Sequence, residues 1–293
     1  MRISLNITNY SWPGGPANLA GQLGRIARAA DRSGLDTVWV PDHLLQADPT
    51  SHPRAEMLEA YTTLGFLAAQ TRRVRLGTMV TGALNRPPAL LVKAVTTLDV
   101  LSSGRAWLGI GAGYHNDEAR AMGLPVASMP ERFAHLEEIL QLTEQMWAGD
   151  DAAFAGRHYR LEHPVSSPAQ VTRPHPPILI GGMGEHRTLP LVARHADACN
   201  LFDVPDGGRT ITRKLAVLAK QCAAAGRDYD AIDKTVSTRL EPGESAVGFA
   251  RRCAELAELG IQHVVAITAG AWTGDTVETL AEATAVDPMG GTR

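Results

Sequence analysis

Cysteine is scarce in this chain, and the few cysteines lie far apart. Cys199, Cys222 and Cys253 form no CxxC pair, and neither HxH nor HExxH occurs anywhere in the 293 residues. Zinc sites use closely spaced ligands of this kind, so we predict no metal site. A low and odd number of cysteines is typical of proteins from a reducing compartment and predicts a cytoplasmic location.

Long apolar runs and an excess of one charge are also missing. No stretch approaches the ~20 apolar residues that span a membrane. The formal net charge is −3, which gives no basic surface for nucleic acid. No GxSxG motif occurs, which argues against an α/β-hydrolase. We therefore predict a globular protein that acts on a small molecule, with neither nucleic acid nor membrane as partner.

Short apolar strands alternate with helical segments along the chain. The strands are predicted at residues 3–8, 37–40, 75–80, 106–110, 178–181, 198–202, 234–239 and 263–268. The helices are predicted at residues 18–33, 56–71, 89–101, 129–147, 185–195, 208–225, 245–259 and 275–285. Such alternation builds a parallel sheet, and eight pairs favour a closed (β/α)8 TIM barrel of the α/β class, with an open doubly wound sheet as the alternative.

A proline-rich segment interrupts this rhythm. Residues 150–177 are too long for a simple turn and carry Pro164, Pro168, Pro174, Pro176 and Pro177. We interpret the segment as an excursion between the fourth helix and the fifth strand rather than as a domain linker. The prediction is therefore one barrel domain over residues 1–293, with a loosely packed tail at residues 287–293.

Polar groups follow the second and fourth predicted strands directly. Asp42 and His43 follow the second strand, while Tyr114 and His115 follow the glycines of the fourth. Barrel enzymes place their catalytic groups at these strand ends, and an imidazole can exchange a proton near neutral pH. His43 is therefore the catalytic candidate, unless it only binds a strand-end carbonyl. Asp42 either orients the His43 ring or caps the next turn.

Glycines follow the fifth strand and open a predicted helix. The backbone of Gly181-Gly182-Met183-Gly184 can approach an anion, and a helix N-terminus offers free N–H groups, so a phosphate would suit this turn. A tight turn between strand and helix explains the glycines equally well. The third strand ends in Thr78-Met79-Val80-Thr81-Gly82, which is either an ordinary strand end or a bulge that supports a planar ring. Asp117 and Glu118 are interpreted as the start of a helix.

Several motifs together carry a resemblance to a known family. They lie at residues 57–65, 74–82, 88–93, 97–99, 103–105, 109–113, 131–133 and 174–182. Through them the chain resembles the luciferase-like monooxygenase superfamily, and within it the oxidoreductases that use the deazaflavin coenzyme F420. The resemblance implies a bacterial-luciferase-like (β/α)8 barrel with the coenzyme in its mouth, and a homodimer.

The resemblance also implies roles for particular residues. A cis peptide bond between Thr78 and Met79 would support the coenzyme ring, the glycine turn at 181–184 would hold its phosphate, and His43 would approach the reactive ring edge. The implied coenzyme-binding residues are Asp42, Thr78, Met79, Thr81, Tyr114, His115, Gly181, Gly182, Met183, Gly184 and Asn200. Arg86, Arg187 and Arg239 are candidates for the acidic tail of the coenzyme, or else surface charges.

The activity expected from the resemblance is hydride transfer between F420 and an unidentified small organic substrate. Sugar-phosphate dehydrogenases of this class carry a carboxylate where this chain has Tyr114, which argues against a sugar-phosphate substrate. The alternatives are an FMN-dependent monooxygenase on the same barrel and a non-catalytic coenzyme-binding protein. Residues 150–177 and the loops after the seventh and eighth strands are expected to shape the substrate pocket.

Overall fold

The computed structural model describes residues 1–48 and 51–286. The predicted loose tail at residues 287–293 lies outside this range. Within the range, no helix is long and apolar enough to cross a membrane.

A nine-stranded parallel sheet forms the centre of the molecule. Its strands are β1 (Arg2–Asn6), β2 (Thr37–Val40), β3 (Arg75–Thr78), β4 (Thr81–Gly82), β5 (Leu108–Gly111), β8 (Ile178–Gly181), β9 (Ala198–Phe202), β10 (Asp233–Arg239) and β11 (His263–Ile267). The order around the sheet is β3-β2-β1-β11-β10-β9-β8-β5-β4. A short antiparallel hairpin, β6 (Phe154–Ala155) and β7 (Arg160–Leu161), lies apart from it.

The two edges of this sheet meet and close the barrel. A parallel bridge joins Leu76 of β3 to Ala106, just before β5. The Leu76 N–H donates to the Arg105 carbonyl at 2.9 Å, and the Trp107 N–H donates to the Leu76 carbonyl at 2.8 Å. The predicted third strand, 75–80, therefore ends at Thr78 as β3, which pairs with β2, and the short β4 that follows it at 81–82 pairs with β5. The predicted (β/α)8 barrel is confirmed, and its third strand is interrupted.

Helices surround the barrel. They are α1 (Pro16–Arg32), α2 (Ala60–Gln70), α3 (Pro88–Ser102), α4 (Asn116–Met122), α5 (Met129–Trp147), α6 (Thr188–His195), α7 (Arg209–Ala225), α8 (Ala246–Glu258) and α9 (Gly274–Ala285), with a 3-10 turn at Tyr229–Ala231. The α5 helix begins with a reciprocal cap between Ser128 and Glu131. Asp117 and Glu118 lie in the first turn of α4, as predicted.

Two tryptophans fill the interior of the barrel. The rings of Trp39 and Trp107 lie 5.6 Å apart and pack with Leu179, Ala198 and Val265, below the side chains of Met79 and Val80. This packing depends on a glycine, because a Cβ at Gly77 would lie 2.7 Å from both indole side chains. The tryptophans therefore fill the barrel beneath Met79 and Val80, and the cavity lies toward the carboxyl ends of the strands.

The proline-rich excursion leaves the C-terminal end of α5 and returns to the start of β8. Its hairpin packs along α5, where the Glu138 carboxylate accepts the N–H groups of Arg157 and Tyr159 at 2.8 and 3.0 Å. The buried Asp99 carboxylate of α3 accepts hydrogen bonds from the Val171 and Thr172 N–H groups at 2.7 and 2.9 Å. No residue of 150–177 lines the cavity, so the expectation that this segment shapes the pocket was wrong.

Candidate functional site

The carboxyl ends of the strands enclose a cavity of about 650 Å³. This volume suits a single organic ligand of drug or cofactor size. Eight of the predicted site residues line it: Asp42, His43, Met79, Tyr114, His115, Gly181, Gly182 and Asn200. Thr78, Thr81, Met183 and Gly184 do not line it. The last residues of β10 and β11 contribute as well, whereas of the loops beyond those two strands only Thr268 reaches the cavity wall.

His43 stands at the cavity wall and is held by a carboxylate. Its Nδ1 lies 2.7 Å from Glu118 Oε2, while Glu118 Oε1 accepts the backbone N–H groups of Leu44 and Leu45 at 2.5 and 2.9 Å. The carboxylate therefore fixes both the ring and the backbone that follows it. It leaves Nε2 as the ring nitrogen of His43 that is available to a ligand.

The electrostatics of this pair favour an ionised Glu118. Burial opposes ionisation, but hydrogen bonds from His43 and from the Leu45 and Leu44 N–H groups outweigh it and hold the pKa of Glu118 below its ordinary value. Glu118 was interpreted from the sequence only as the start of a helix. It is the main residue of the site that sequence reasoning missed, because its partner is 75 positions away in the chain.

Aromatic rings stack beside His43 at the mouth. The His115 ring meets it edge to face, with centroids 4.7 Å apart, and the Tyr114 ring lies 4.1 Å from that of His115. Tyr114 remains 69% exposed. Burial, and then the charge of nearby His43, lower the pKa of His115, so its ring favours the neutral form. The predicted placement of Tyr114 and His115 at the mouth is confirmed.

The Asp42 carboxylate forms an ion pair that the sequence analysis did not predict. Its buried carboxylate pairs with both terminal nitrogens of Arg86, and the Asn85 amide donates to the Asp42 carbonyl at 3.0 Å. Asp42 thus neither orients His43 nor caps the next turn. Arg86 also pairs with Glu59 and stacks on Tyr61 at 4.7 Å, so it is committed to internal contacts. Its assignment as a candidate for the coenzyme tail was wrong.

A chain of hydroxyl groups ties β3, β4 and β5 together beneath the floor of the cavity. Tyr61 and Thr81 share a hydrogen bond of 3.0 Å, Thr81 donates to Thr78 at 3.0 Å, and Thr78 donates to the Gly109 carbonyl at 2.7 Å. Thr78 and Thr81 are fully buried. Thr78 and Thr81 therefore stabilise the floor of the cavity from below and do not line the cavity.

A cis peptide bond lies in this floor, one residue later than expected. It joins Met79 to Val80, not Thr78 to Met79. The Met79 N–H still donates to the Val40 carbonyl at 2.8 Å, so the backbone keeps its strand pairing through Thr78 and departs from it only afterwards. The Val80 side chain then lies against two glycines, since a Cβ at Gly111 or Gly181 would be 3.0 Å from it.

The glycine turn after β8 presents backbone to the cavity. Gly182 adopts φ +123°, which favours glycine, and it lines the cavity together with Thr188, the first residue of α6. Met183 turns away, and its sulfur accepts the Phe202 N–H at 3.4 Å. A Cβ at Gly184 would lie 2.9 Å from the Thr188 hydroxyl, so Gly184 serves the turn itself.

Asn200 closes the cavity on the β9 and β10 side. Its amide donates to the Ser237 hydroxyl at 3.0 Å and its carbonyl accepts from Thr235 at 2.9 Å. Sequence reasoning missed Ser237 and Thr238 of β10, and also Arg132 at the start of α5, all of which line the cavity. Ser237 and Thr238 lie near the end of a strand and Arg132 lies near the start of a helix, and these positions could have identified them as candidates. Arg187 is exposed at the start of α6, and Arg239 lines the cavity at the end of β10.

Comparison with known proteins gives consistent results. The family model described as luciferase-like monooxygenase matches residues 1–260. An F420-dependent glucose-6-phosphate dehydrogenase of Kineococcus radiotolerans is 33% identical over 229 residues, which cover 75% of this chain and 64% of that protein. The chain thus aligns with less than two thirds of that relative.

Solved structures share the same architecture. An F420-dependent secondary alcohol dehydrogenase in complex with an F420-acetone adduct superposes with a TM-score of 0.82 at 17% identity, over 96% of this chain and 97% of that one. The monooxygenase RslO1 from Streptomyces bottropensis superposes with a TM-score of 0.78 at 20% identity, over 96% and 98% of the two chains. At such identities these matches speak for the fold alone.

Proposed function

This chain belongs to the luciferase-like monooxygenase family, and from that premise we propose that it is an oxidoreductase that uses the deazaflavin coenzyme F420. The reaction would be transfer of a hydride between the coenzyme and a small organic substrate. The relative from Kineococcus radiotolerans carries the name of an F420-dependent enzyme and supports this choice of coenzyme. Its sugar-phosphate substrate is not carried over, because Tyr114 stands where we expect that class to have a carboxylate.

One observation carries the proposal: the cavity combines a floor of small residues with a histidine at its wall. The Val80 side chain lies over Gly111 and Gly181, so the floor consists of backbone and one small apolar side chain beside Met79. His43 lines the same cavity and is held from behind by Glu118. A planar ring fits on such a floor, and a molecule above the ring would come within reach of the imidazole.

When bound, the deazaflavin supplies a two-electron hydride donor or acceptor at its central ring carbon. The residues of this chain would supply the remaining requirements. Met79 and Val80 would support the coenzyme ring from below, while Gly182 and Thr188 would hold its phosphate at the start of α6. His43 would donate a hydrogen bond or a proton to the substrate. The ionised Glu118 carboxylate holds the imidazole ring of His43 in place. Tyr114 and His115 restrict water at the mouth.

Binding of the two candidate coenzymes tests the proposal. The purified protein is titrated with oxidised F420 and, separately, with FMN, and the dissociation constants are measured by fluorescence. We expect micromolar or tighter binding of F420 and at least 10-fold weaker binding of FMN. Tight FMN binding with no binding of the deazaflavin would overturn the proposal in favour of an FMN-dependent monooxygenase.

Turnover separates an enzyme from a coenzyme carrier. The protein with reduced or oxidised F420 is mixed with panels of small alcohols, aldehydes, enones and imines, and the deazaflavin absorbance is followed. We expect turnover with at least one class. Tight binding without any redox change across a broad panel would leave a non-catalytic coenzyme-binding protein as the better description.

We also propose that the chain works as a homodimer in the cytoplasm. The family resemblance supports the dimer, and the low and odd number of cysteines supports a reducing compartment. Sedimentation at micromolar concentration tests the dimer, and a particle of the mass of one chain would contradict it.

A further inference from the structure

Two polar side chains, at the ends of β1 and β10, have no partner in the fold. Asn6 is 5% exposed, and no hydrogen bond reaches its side-chain amide within residues 1–48 and 51–286. Arg239 is partly buried, and over the same residues its guanidinium has neither a hydrogen bond nor a carboxylate partner. Both residues line the cavity. Arg86, in contrast, pairs with two carboxylates.

The two side chains offer N–H donors to the cavity. Asn6 Oδ1 and Arg239 Nη1 are buried without a partner. Asn6 Nδ2 and the Nε and Nη2 atoms of Arg239 also lack a partner among the described residues, but the fold does not enclose them. Since unpaired buried polar atoms cost free energy, neither side chain stabilises the empty fold. A ligand that accepts hydrogen bonds would give both a use.

The charge of Arg239 is not balanced from within the cavity wall. The acidic residues that line the cavity have other partners: Asp42 pairs with Arg86, Asp48 accepts from Asn9, Glu118 accepts from His43, and Asp203 accepts from Thr238. Among the described residues, the positive charge at the end of β10 is therefore available to an anionic ligand.

Arg239 lies across the barrel from the interrupted third strand. Around the closed sheet, β10 is four strands from β3 by way of β2, β1 and β11, and four strands from β4 by way of β5, β8 and β9. A coenzyme ring that rests on Met79 and Val80 would therefore have Arg239 on its far side. A substrate above the ring would lie between that arginine and His43, which follows β2.

Asn6 lies beside the same space and at the same height as Arg239. Leu5 of β1 is the register partner of Ala266 in β11, and the next residue of β11, Ile267, is the register partner of Arg239. Asn6, which follows Leu5, therefore ends β1 at the level at which Arg239 ends β10. One strand separates them, a spacing of about 10 Å that a small ligand can bridge.

We propose that Arg239 and Asn6 bind a carboxylate of the substrate, so that the substrates of this protein are small organic acids. This inference rests on the proposed function, in which the substrate lies above the coenzyme ring and within reach of His43. The guanidinium supplies the charge and a fork of donors for the two carboxylate oxygens, and Asn6 Nδ2 supplies a further donor.

The charge on this side of the cavity favours a carboxylate over a phosphate. Of the described residues that β1, β10, β11 and the positions just after them contribute to the wall, Arg239 alone is a cation. One positive charge balances a carboxylate, whereas it would leave a phosphate dianion with an excess negative charge in a partly buried place.

Matched acids and amides test this assignment. Protein loaded with oxidised F420 is titrated by calorimetry with 2-oxobutyrate, crotonate and benzoate, and with the primary amide of each, which has nearly the same shape but no charge. We expect at least one acid to bind at least about 10-fold more tightly than its amide. In Arg239→Gln this preference should fall to about 2-fold or less, through weaker binding of the acid. A wild-type protein without any preference for the acids would overturn the proposal.

Two further variants control for charge. Arg239→Lys keeps the cation without the fork and should retain an intermediate preference. Arg187→Gln removes an exposed arginine that does not line the cavity and should leave the preference within about 2-fold of wild type. An equal loss in Arg187→Gln would assign the effect to the overall charge and overturn the proposal. So would an Arg239→Gln protein that loses affinity for F420 but keeps its preference for the acids, because Arg239 would then bind the acidic tail of the coenzyme.

The stability of the unloaded protein gives a readout that needs no ligand. Asn6→Leu and Arg239→Met remove unpaired polar groups and nearly keep the side-chain volume. We expect the midpoint of urea unfolding to equal that of wild type or to rise by up to about 0.3 M. A lower midpoint would mean that the fold itself depends on these groups, and it would overturn the proposal.

The same titrations separate this inference from the function on which it rests. If F420 does not bind, the acids and amides are titrated into the unloaded protein. A preference for the acids that Arg239→Gln abolishes would then support the carboxylate site while the F420 assignment fails. Bound F420 without any preference for the acids would leave the coenzyme assignment standing and overturn the present inference.

Discussion

At the scale of single residues, the contact between His43 and Glu118 is the centre of the proposed chemistry. The carboxylate accepts from the imidazole and from two backbone N–H groups, so ring and loop are positioned together. A histidine that is oriented in this way can hold or deliver a proton at a fixed point above the floor. Removing the ring and removing its support therefore have different expected consequences.

Replacement of His43 by alanine should affect turnover and leave coenzyme binding nearly intact. We expect kcat to fall by about 10²-fold or more, because a positioned proton donor contributes that much, and the dissociation constant of F420 to change by less than about 3-fold. Steady-state kinetics and fluorescence titration on the same preparation measure both. A variant with wild-type turnover would remove His43 from the mechanism.

Glu118→Gln should remove a contribution to stability that depends on pH. The folded-state pKa of Glu118 is lowered, because the hydrogen bonds that hold the carboxylate outweigh the effect of burial. Its ionised form therefore stabilises the fold above the ordinary glutamate pKa, and this stability is lost as the pH falls through the lower folded-state value. Unfolding free energies of both proteins should differ at about pH 7 and converge toward about pH 3.

Asp117→Asn is the matched control for that experiment. Asp117 precedes Glu118 in the same helical turn, but its side chain is fully exposed and pairs with Arg120 at 3.1 Å. We expect a change in stability of less than about 0.5 kcal/mol at any pH, as for most exposed pairs. A pH dependence equal to that of Glu118→Gln would assign the effect to the helix terminus rather than to the contact with His43.

The sequence predicted those residues of the site that follow the ends of predicted strands. His43, Tyr114, His115 and Gly182 follow predicted strands directly, and all line the cavity. Partners across the barrel were not predictable. Asp42 meets Arg86 and His43 meets Glu118 over 44 and 75 positions in the chain, and only the packed structure determines such pairs.

At the scale of elements, the interrupted third strand depends on glycines at the facing positions of the neighbouring strands. The Thr78 carbonyl points at the Cα of Gly109 in β5 so closely that a Cβ there would be 1.8 Å from the oxygen. Further along, Gly111 of β5 and Gly181 of β8 make room for the Val80 side chain. The floor of the cavity is thus formed by three elements, two of which contribute backbone alone.

Gly109→Ala tests this close approach. The added methyl group collides with backbone, which cannot yield as a side chain would, so we expect a loss of about 3 kcal/mol or more in the free energy of unfolding. Gly65→Ala in α2 is the control, because a Cβ at that position meets nothing within 4 Å and should stabilise the helix by up to about 1 kcal/mol. Urea unfolding measures both; equal stabilities would contradict the argument.

Most elements followed from sequence periodicity, and the exceptions have physical reasons. The α5 helix spans Met129–Trp147 as predicted, because its start carries a proline and a reciprocal cap. The α4 helix has only seven residues, too few for an apolar period to show. Periodicity did not show the division between β3 and β4, because the pattern of apolar residues continues across the Met79-Val80 bond. The family resemblance did imply an irregular bond there, but one residue too early.

At the scale of the whole molecule, the site and the proline-rich excursion are separate. The cavity opens at the carboxyl ends of the strands, while the excursion packs outside it against α5 and α3. Alternating strands and helices predicted the closed barrel, because eight such pairs have few other arrangements. They did not predict where the excursion packs, because its partners Glu138 and Asp99 are distant in the chain.

Asp99→Asn should loosen the excursion and spare the site. Three hydrogen bonds reach this buried carboxylate from Val171 and Thr172, and an amide cannot accept them all. We expect a loss of about 2–3 kcal/mol in the free energy of unfolding and faster proteolysis within residues 150–177. The dissociation constant of F420 and kcat should stay within about 2-fold of wild type. A large change in either would show that the excursion and the site are coupled.

The tryptophan pair inside the barrel gives the molecule an optical reporter of its own. Trp39 and Trp107 lie one layer of side chains below Met79 and Val80, on which the coenzyme ring would rest. Indole emission overlaps the absorption of flavin-like chromophores, and energy transfer over so short a path is efficient. Quenching of the native fluorescence would therefore report occupancy of the cavity in unlabelled protein, and a smaller quenched amplitude in Trp107→Phe would assign part of the signal to this pair.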